Sequence, residues 1–304
     1  MAADHIGELK RRAAAGDASA LFELGALSLA GEAVPRDLAV AREMLRRAAV
    51  AGRKDAAVIY ANFVASGVGA AADWPRGLAL LRELARVNPR SARELEVIGA
   101  MELGPEGEPA GTWRRERLSE CPRVELAREF FSPLECDYVT AAAEPMLAPS
   151  VVVDPATGRQ IPNPGRTSDG MGFTWPLENP AVHALNRRIA RLTQTDVAQG
   201  EPLQVLRYRG GQQYRPHFDA IPGFANQRIL TVLVYLNEGY EGGETWFETP
   251  QLKVKGGRGD ALVFRNVDDE GRPDKDAGHA GLPVTQGTKL ICSRWIRAAP
   301  YTPA

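Results

Sequence analysis

The chain has 304 residues, 44% of them hydrophobic and 25% charged, with a formal net charge of −1. That length allows two hydrophobic cores, and the charge balance gives no electrostatic reason to expect nucleic acid or an anionic membrane as a partner. No apolar run approaches a membrane span, Met1 to Gly16 lacks the apolar centre of a secretory signal, and Cys121, Cys136 and Cys292 are too scattered for a disulfide framework or a zinc site, so a cytoplasmic protein is expected.

The first hundred residues place alanine, leucine and arginine at helical spacing, with an internal period of 36 residues. Gly16 recurs as Gly52, Ala20 as Ala56, Leu24 as Tyr60, Leu27 as Phe63, Gly31 as Gly67 and Asp37 as Asp73. Each unit reads as helix, glycine-containing turn, helix. One helix pair cannot bury its own face, so such units stack on neighbours. Leu24-Gly25, Gly31, Val34-Pro35-Arg36-Asp37, Ala41, Ala48-Ala49 and Gly52 resemble a Sel-like repeat, a relative of the tetratricopeptide repeat. The second unit departs, with Ala70-Ala71-Ala72 where Val-Pro-Arg is expected, so the pattern predicts a two-repeat array. Pro89 starts a further helix through Met101. Gly104 to Gly111 is rich in helix-stopping residues and reads as a linker. The expected division is residues 1–105 for helical repeats, 106–120 for a linker and 121–304 for a second domain.

That second domain reads as β-structure. Val151 to Arg166, rich in proline and glycine, reads as a mobile loop able to fold over a substrate or as an ordered β-hairpin excursion that does not move. In Tyr214-Arg215-Pro216-His217-Phe218-Asp219, Pro216 argues against a helix. On an extended chain His217 and Asp219 share a face, and Phe218 points the other way. Ile229 to Leu236 is a β-rich apolar run, Asn237 to Gly243 a turn, and Glu244 to Glu248 and Asp260 to Phe264 are short strands. His279 and Lys289 flank Pro283 to Gly287. That stretch reads as a hairpin turn, which would put the two residues on neighbouring strands.

Two imidazoles and one carboxylate are the ligand set of a non-haem Fe(II) oxygenase, with coordination positions left open. The chain has only four histidines, and two of them take these places. Lys289 supplies a cation on which a second carboxylate can dock. Val205, Leu233, Val263 and Phe264 are candidates for an apolar shell around the metal. Arg207, Arg209, Arg215, Arg228, Arg265 and Arg294 are candidates for a positive field that attracts a dicarboxylate.

With these residues in place, Pro122 to Pro300 resembles the prolyl 4-hydroxylase family of 2-oxoglutarate oxygenases. The likeness runs through separated blocks: Phe130 to Cys136, Gly165-Arg166-Thr167-Ser168, Leu203 to Tyr208 with Gly211, Tyr214, His217 and Asp219, Tyr235 to Thr245, and His279 to Arg297. The resemblance implies that His217, Asp219 and His279 bind Fe(II), and that Lys289 pairs with the distal carboxylate of 2-oxoglutarate, helped by Tyr208 and Thr245. It implies peptide contacts for Arg166, Ser168, Glu201, Arg228 and Trp295, O2 as co-substrate and ascorbate as a candidate reductant. Two places depart from the family: the loop from Ala220 to Gln227 is short, and Ala277-Gly278 replaces a Ser-Leu pair.

The expected architecture is therefore α+β and multidomain: an α-helical repeat domain followed by a double-stranded β-helix, or jelly roll, with flanking helices. The expected function is hydroxylation of an unactivated C–H bond, foremost of a prolyl residue in a peptide or protein. One rival is hydroxylation of a free amino acid or other small molecule. The other is a non-catalytic interaction protein that merely holds metal. The helical repeats read either as a recruiter of a protein partner or as a scaffold packed on the second domain; removing residues 1–105 is expected to leave the oxidation chemistry intact unless it exposes apolar surface and causes aggregation.

Overall fold

Asp17, Asp37 and Asp73 each start a helix in the computed structural model, which describes residues 2–153, 160–162, 164–221 and 223–302. Contacts divide the chain into two units: Met1–Ala110 with Thr174–Leu185, and Gly111–Phe173 with Asn186–Ala304.

The first unit is built on α1 (Ala2–Ala14), α2 (Ala18–Ala30), α3 (Leu38–Val50), α4 (Lys54–Ser66), α5 (Trp74–Ala85) and α6 (Pro89–Ala100). The starts of α1, α3 and α5, at Ala2, Leu38 and Trp74, are spaced by the 36 residues of the sequence period. Local chemistry sets the boundaries. The Asp37 carboxylate accepts from Val40 N and that of Asp73 from Arg76 N, both at 2.9 Å, satisfying amides that a helix start leaves unpaired. Gly31 and Gly67 end α2 and α4 at φ 76° and 85°, where a side chain is strained. Leu9, Leu21, Leu45 and Phe63 are buried together, each contributing about 1.5–3 kcal/mol by leaving water. Trp175 packs against this core, and Asn62 Nδ2 donates to the Pro176 carbonyl at 3.0 Å. The segment Thr174–Leu185 thus completes the helical unit although Gly111–Phe173, which belongs to the other, precedes it.

The second unit carries β1 (Arg115–Ser119), β2 (Val124–Ala127), α7 (Pro133–Ala143), β3 (Ala148–Pro149), β4 (Val151–Val153), β5 (Gln160–Pro162) and β6 (Asp169–Gly172). After α8 (Pro180–Thr193) come β7 (Gln204–Arg209), β8 (Tyr214–His217), β9 (Arg228–Tyr235), β10 (Glu241–Gly242), β11 (Thr245–Phe247) and β12 (Leu252–Val254). The chain continues through β13 (Ala261–Arg265), β14 (His279–Gly281), β15 (Val284–Gln286) and β16 (Thr288–Arg297). An eight-stranded antiparallel sheet has the order β1-β2-β13-β9-β16-β7-β6-β3, and a four-stranded one the order β12-β11-β14-β8. β1 lies within the stretch expected to be linker. A capping box between Ser132 and Glu135 starts α7, and the Glu135 carboxylate also accepts a fork of bonds from Arg188 at 2.6 and 2.7 Å.

The expected hairpin between His279 and Lys289 does not form. β14 belongs to the four-stranded sheet, β15 pairs with β10, and β16 lies in the eight-stranded sheet. Pro283 has no N–H to continue a ladder, and the chain there passes from one sheet to the other. Of the loop expected over Val151–Arg166, residues 154–159 and 163 lie outside those described. The described flanks, β4 and β5, pair as an antiparallel ribbon, with Val152 opposite Ile161.

Candidate active site

β8 and β14 are antiparallel neighbours with His217 directly opposite His279. This register places the two rings 4.3 Å apart, centroid to centroid. Asp219 follows β8 and turns back between them: its Oδ1 lies 3.5 Å from His217 Nε2, and its Oδ2 3.6 Å from His279 Nε2. The three form the only cluster of metal-ligating side chains among the described residues, with one ligand atom from each within 4.8 Å of the others. Phe218 points away and is 55% exposed, as strand alternation requires.

The donor set fits a divalent metal in detail. His217 Nδ1 meets the Arg215 carbonyl at 2.8 Å, and His279 Nδ1 meets the Ala277 carbonyl at 3.1 Å. A carbonyl only accepts, so each Nδ1 carries the hydrogen and each Nε2 presents a lone pair to the centre. Burial opposes ionisation of Asp219, but positive charge held between it and His279 and His217, a proton in the metal-free site, outweighs it together with the Thr231 hydrogen bond, and the carboxyl stays well below the usual carboxylate range. Burial pushes the His279 imidazole down, which favours the neutral form a metal needs. Tyr214 stacks on His217 with ring centroids 3.5 Å apart, and Phe264 meets His279 edge-on at 4.7 Å.

These side chains line one cavity together with Arg166, Leu206, Tyr208, Leu233, Thr245, Lys289, Ile291, Ser293 and Trp295. Lys289 is 3% exposed, and burial pushes its ammonium down to about 8. Its Nζ donates to the Gly243 carbonyl at 2.6 Å and sits 5.6 and 5.7 Å from the Tyr208 and Tyr235 ring centres. Gly243 sits at φ 70°, where a side chain is strained, and a Cβ there would lie a tight 3.1 Å from Lys289 Cδ. Burial pushes the Tyr208 phenol up to about 12, so it stays a hydroxyl donor near neutral pH. The Tyr235 hydroxyl reaches Thr245 Oγ1 at 3.4 Å. His279 and Lys289 thus meet across a cavity from two sheets.

The residues expected to touch a peptide divide into two groups. Arg166 and Trp295 line the cavity, and the Arg166 guanidinium lies 5.4 Å from the Tyr214 ring centre. Ser168, Glu201 and Arg228 do not line it. Ser168 is 1% exposed and bonds Ser150 Oγ at 3.0 Å. Glu201 accepts from Arg228 at 2.6 and 2.9 Å, and Arg297 Nε lies 2.7 Å from the same carboxylate. Arg228 in turn stacks on Trp295 at 3.7 Å, so Glu201 and Arg228 brace a cavity wall.

Two further expectations need correction. Of the apolar shell, Leu233 lines the cavity and Phe264 packs on His279, but Val205 and Val263 sit on the opposite face of the eight-stranded sheet. Each is next in sequence to an inward residue, Leu206 or Phe264, and alternation sends it outward. None of the six arginines proposed for a positive field lines the cavity. Arg207 and Arg209 bond Asp169, Arg265 bonds Asp269, and buried Arg294 donates to the carbonyls of Glu201, Asn186 and Val197, each at 3.0 Å. Sequence reasoning also missed Thr231 and Asn266, which support Asp219. Thr231 is one β-branched residue in a β-rich run, and nothing local marks it.

Comparison with known proteins agrees with the geometry. The 2OG-Fe(II) oxygenase superfamily pattern matches residues 203–297. Prolyl 4-hydroxylase 1 of Arabidopsis thaliana is 35% identical over 206 residues, covering 62% of this chain and 73% of the relative. Prolyl 4-hydroxylase 5 of the same plant is 33% identical over 221 residues, covering 64% and 76%. Among solved structures, the viral collagen prolyl hydroxylase vCPH from Paramecium Bursaria Chlorella virus-1, in its 2OG complex, is 31% identical with a TM-score of 0.46, covering 58% of this chain and 96% of that one. The chain belongs to the prolyl 4-hydroxylase family of 2-oxoglutarate- and Fe(II)-dependent oxygenases and is a 2-oxoglutarate-dependent dioxygenase.

Proposed function

We propose that this dioxygenase hydroxylates a prolyl residue of a peptide or protein, with His217, Asp219 and His279 holding Fe(II). The observation that carries the reading is the meeting of these ligands with Lys289 in one cavity, from β8, β14 and β16 and the turn after β8. Fe(II) with 2-oxoglutarate and O2 supplies the oxidising power to replace a C–H bond by C–OH, which no side chain has.

The chain's own residues do the rest. His217 and His279 offer neutral Nε2 atoms, and Asp219 brings the negative charge that offsets part of the metal's. The Lys289 ammonium takes the distal carboxylate of 2-oxoglutarate, with the Tyr208 and Thr245 hydroxyls beside it. Charge-assisted hydrogen bonds of this kind contribute about 1.5–3 kcal/mol each. Leu206, Leu233 and Ile291 keep water from the reacting atoms. Arg166 and Trp295 position the prime substrate, and Glu201 with Arg228 holds the Trp295 ring in place. The two large sheets are read as a distorted double-stranded β-helix and the six helices as Sel-like repeats. A peptide substrate is favoured by the relatives, which are named as prolyl 4-hydroxylases.

The test is incubation of the full chain with Fe(II), 2-oxoglutarate and either a proline-rich peptide or free proline, followed by mass spectrometry. The expected result is a one-oxygen mass gain on a prolyl residue of the peptide. A gain on free proline alone would move the assignment to the small-molecule class.

A further inference from the structure

Asp219 has a support that its sequence motif does not contain. Thr231 Oγ1 donates to Asp219 Oδ2 at 2.6 Å, and Asn266 Nδ2 donates to Thr231 Oγ1 at 2.9 Å. Thr231 and Asn266 are each 1% exposed, so water does not compete for these bonds. An amide nitrogen only donates, and a hydroxyl has a single hydrogen. With Asn266 on its acceptor side, Thr231 gives its hydrogen to the carboxylate. The chain of donors runs one way, from Asn266 to Thr231 to Asp219.

Asn266 also anchors the loop that leads to the third ligand. It directly follows β13; its N–H donates to the Ile229 carbonyl on β9, and its carbonyl accepts from Asp274 N, both at 3.0 Å. The Asp274 carbonyl accepts from Ala277 N at 3.2 Å, and its carboxylate from Asp276 N at 2.9 Å. Ala277 is the residue whose carbonyl orients His279 Nδ1. One asparagine therefore reaches Asp219 through its side chain and His279 through its main chain.

We propose that Asn266 and Thr231 are positioning residues for the metal: together they fix the orientation of Asp219, and Asn266 also sets the loop that presents His279. The proposal rests on the reading of His217, Asp219 and His279 as the metal site. Partners that orient metal ligands typically change affinity about 10- to 100-fold when they are removed.

The test needs no turnover. The metal-free full chain is titrated with Co(II), and the visible absorption of the bound ion is followed, with thermal unfolding of each metal-free variant recorded alongside. Thr231→Val removes the donor to Asp219. Asn266→Asp keeps the shape but replaces a donor by an acceptor, which draws the Thr231 hydrogen away from Asp219. Both should bind Co(II) about 10- to 100-fold more weakly, while Thr231→Ser, which keeps the hydroxyl, should bind near the wild-type level. Wild-type affinity in both Thr231→Val and Asn266→Asp would overturn the proposal. So would a loss in Thr231→Ser equal to that in Thr231→Val, because the hydroxyl would then not be the agent. Asp219→Ala serves as control: if it binds Co(II) as the wild type does, the metal-site reading itself fails.

Discussion

The helical unit and the β unit use sequence information in different ways. In the helical unit each boundary is written beside the element it bounds. Asp37 caps α3 from one residue away, Gly31 ends α2, and the same chemistry returns 36 residues later at Asp73 and Gly67. In the β unit the functional side chains come from β7, β8, β11, β14 and β16, and sheet register brings them together. A local change should therefore stay local in the helices, whereas a bracing contact in the β unit should be felt at the cavity.

The strongest challenge to that contrast is a truncation. The helical unit includes Thr174–Leu185, so deleting residues 1–105 strips Trp175 of the core it packs on and Pro176 of its Asn62 bond. The truncated chain should aggregate or lose cooperative unfolding by gel filtration and circular dichroism. A monodisperse truncation with full uncoupled 2-oxoglutarate turnover would restore the simpler expectation of a detachable helical domain. Next in size is Glu201→Ala. It leaves Arg228 and Arg297 without their carboxylate and should cost about 3–5 kcal/mol of stability in denaturant unfolding. It should also raise the peptide KM through the loosened Trp295. A shift confined to the unfolding midpoint would separate Glu201 from the cavity wall.

Lys289→Ala comes third. It should weaken 2-oxoglutarate binding about ten- to a hundredfold by calorimetry while metal binding survives. The direction of the lysine shift adds a pH test. The ammonium is present below about 8 and is lost as pH rises through that value, so wild-type affinity should fall across this range. Lys289→Arg, always charged, should show no such fall. The smallest effect expected is that of Asp37→Ala, about 1 kcal/mol off the stability of the helical unit with 2-oxoglutarate affinity unchanged. A change in that affinity would mean that the two units communicate.

Much of this is legible in the sequence. The His-X-Asp spacing requires only strand alternation, and His217 and Asp219 indeed meet. The period of 36 needs only repetition, and helix starts obey it. The failures share a cause: they depend on which strands pair, and pairing is not written locally. Lys289 was placed beside His279 by a hairpin, yet reaches the cavity from another sheet. Val205 and Val263 are apolar enough for a shell, but their parity along the strand decides their face. Arg207, Arg209 and Arg265 were read as a field because Asp169 and Asp269 were not known to neutralise them. Ser168 and Glu201 match family positions that contact a peptide, and the fold shows each buried against a protein partner, Ser150 and Arg228. Thr231 and Asn266 were invisible for the same reason, since 35 residues separate them and only the pairing of β9 with β13 joins them.

The most direct test is succinate release from 2-oxoglutarate by the full chain with Fe(II), measured with and without a proline-rich peptide, in the wild type and in Asp219→Ala. The account predicts release by the wild type that the peptide stimulates and that matches the hydroxylated prolyl residues formed, with none above background in Asp219→Ala. Equal release by the two proteins would contradict the assignment of His217, Asp219 and His279 as the centre of the chemistry.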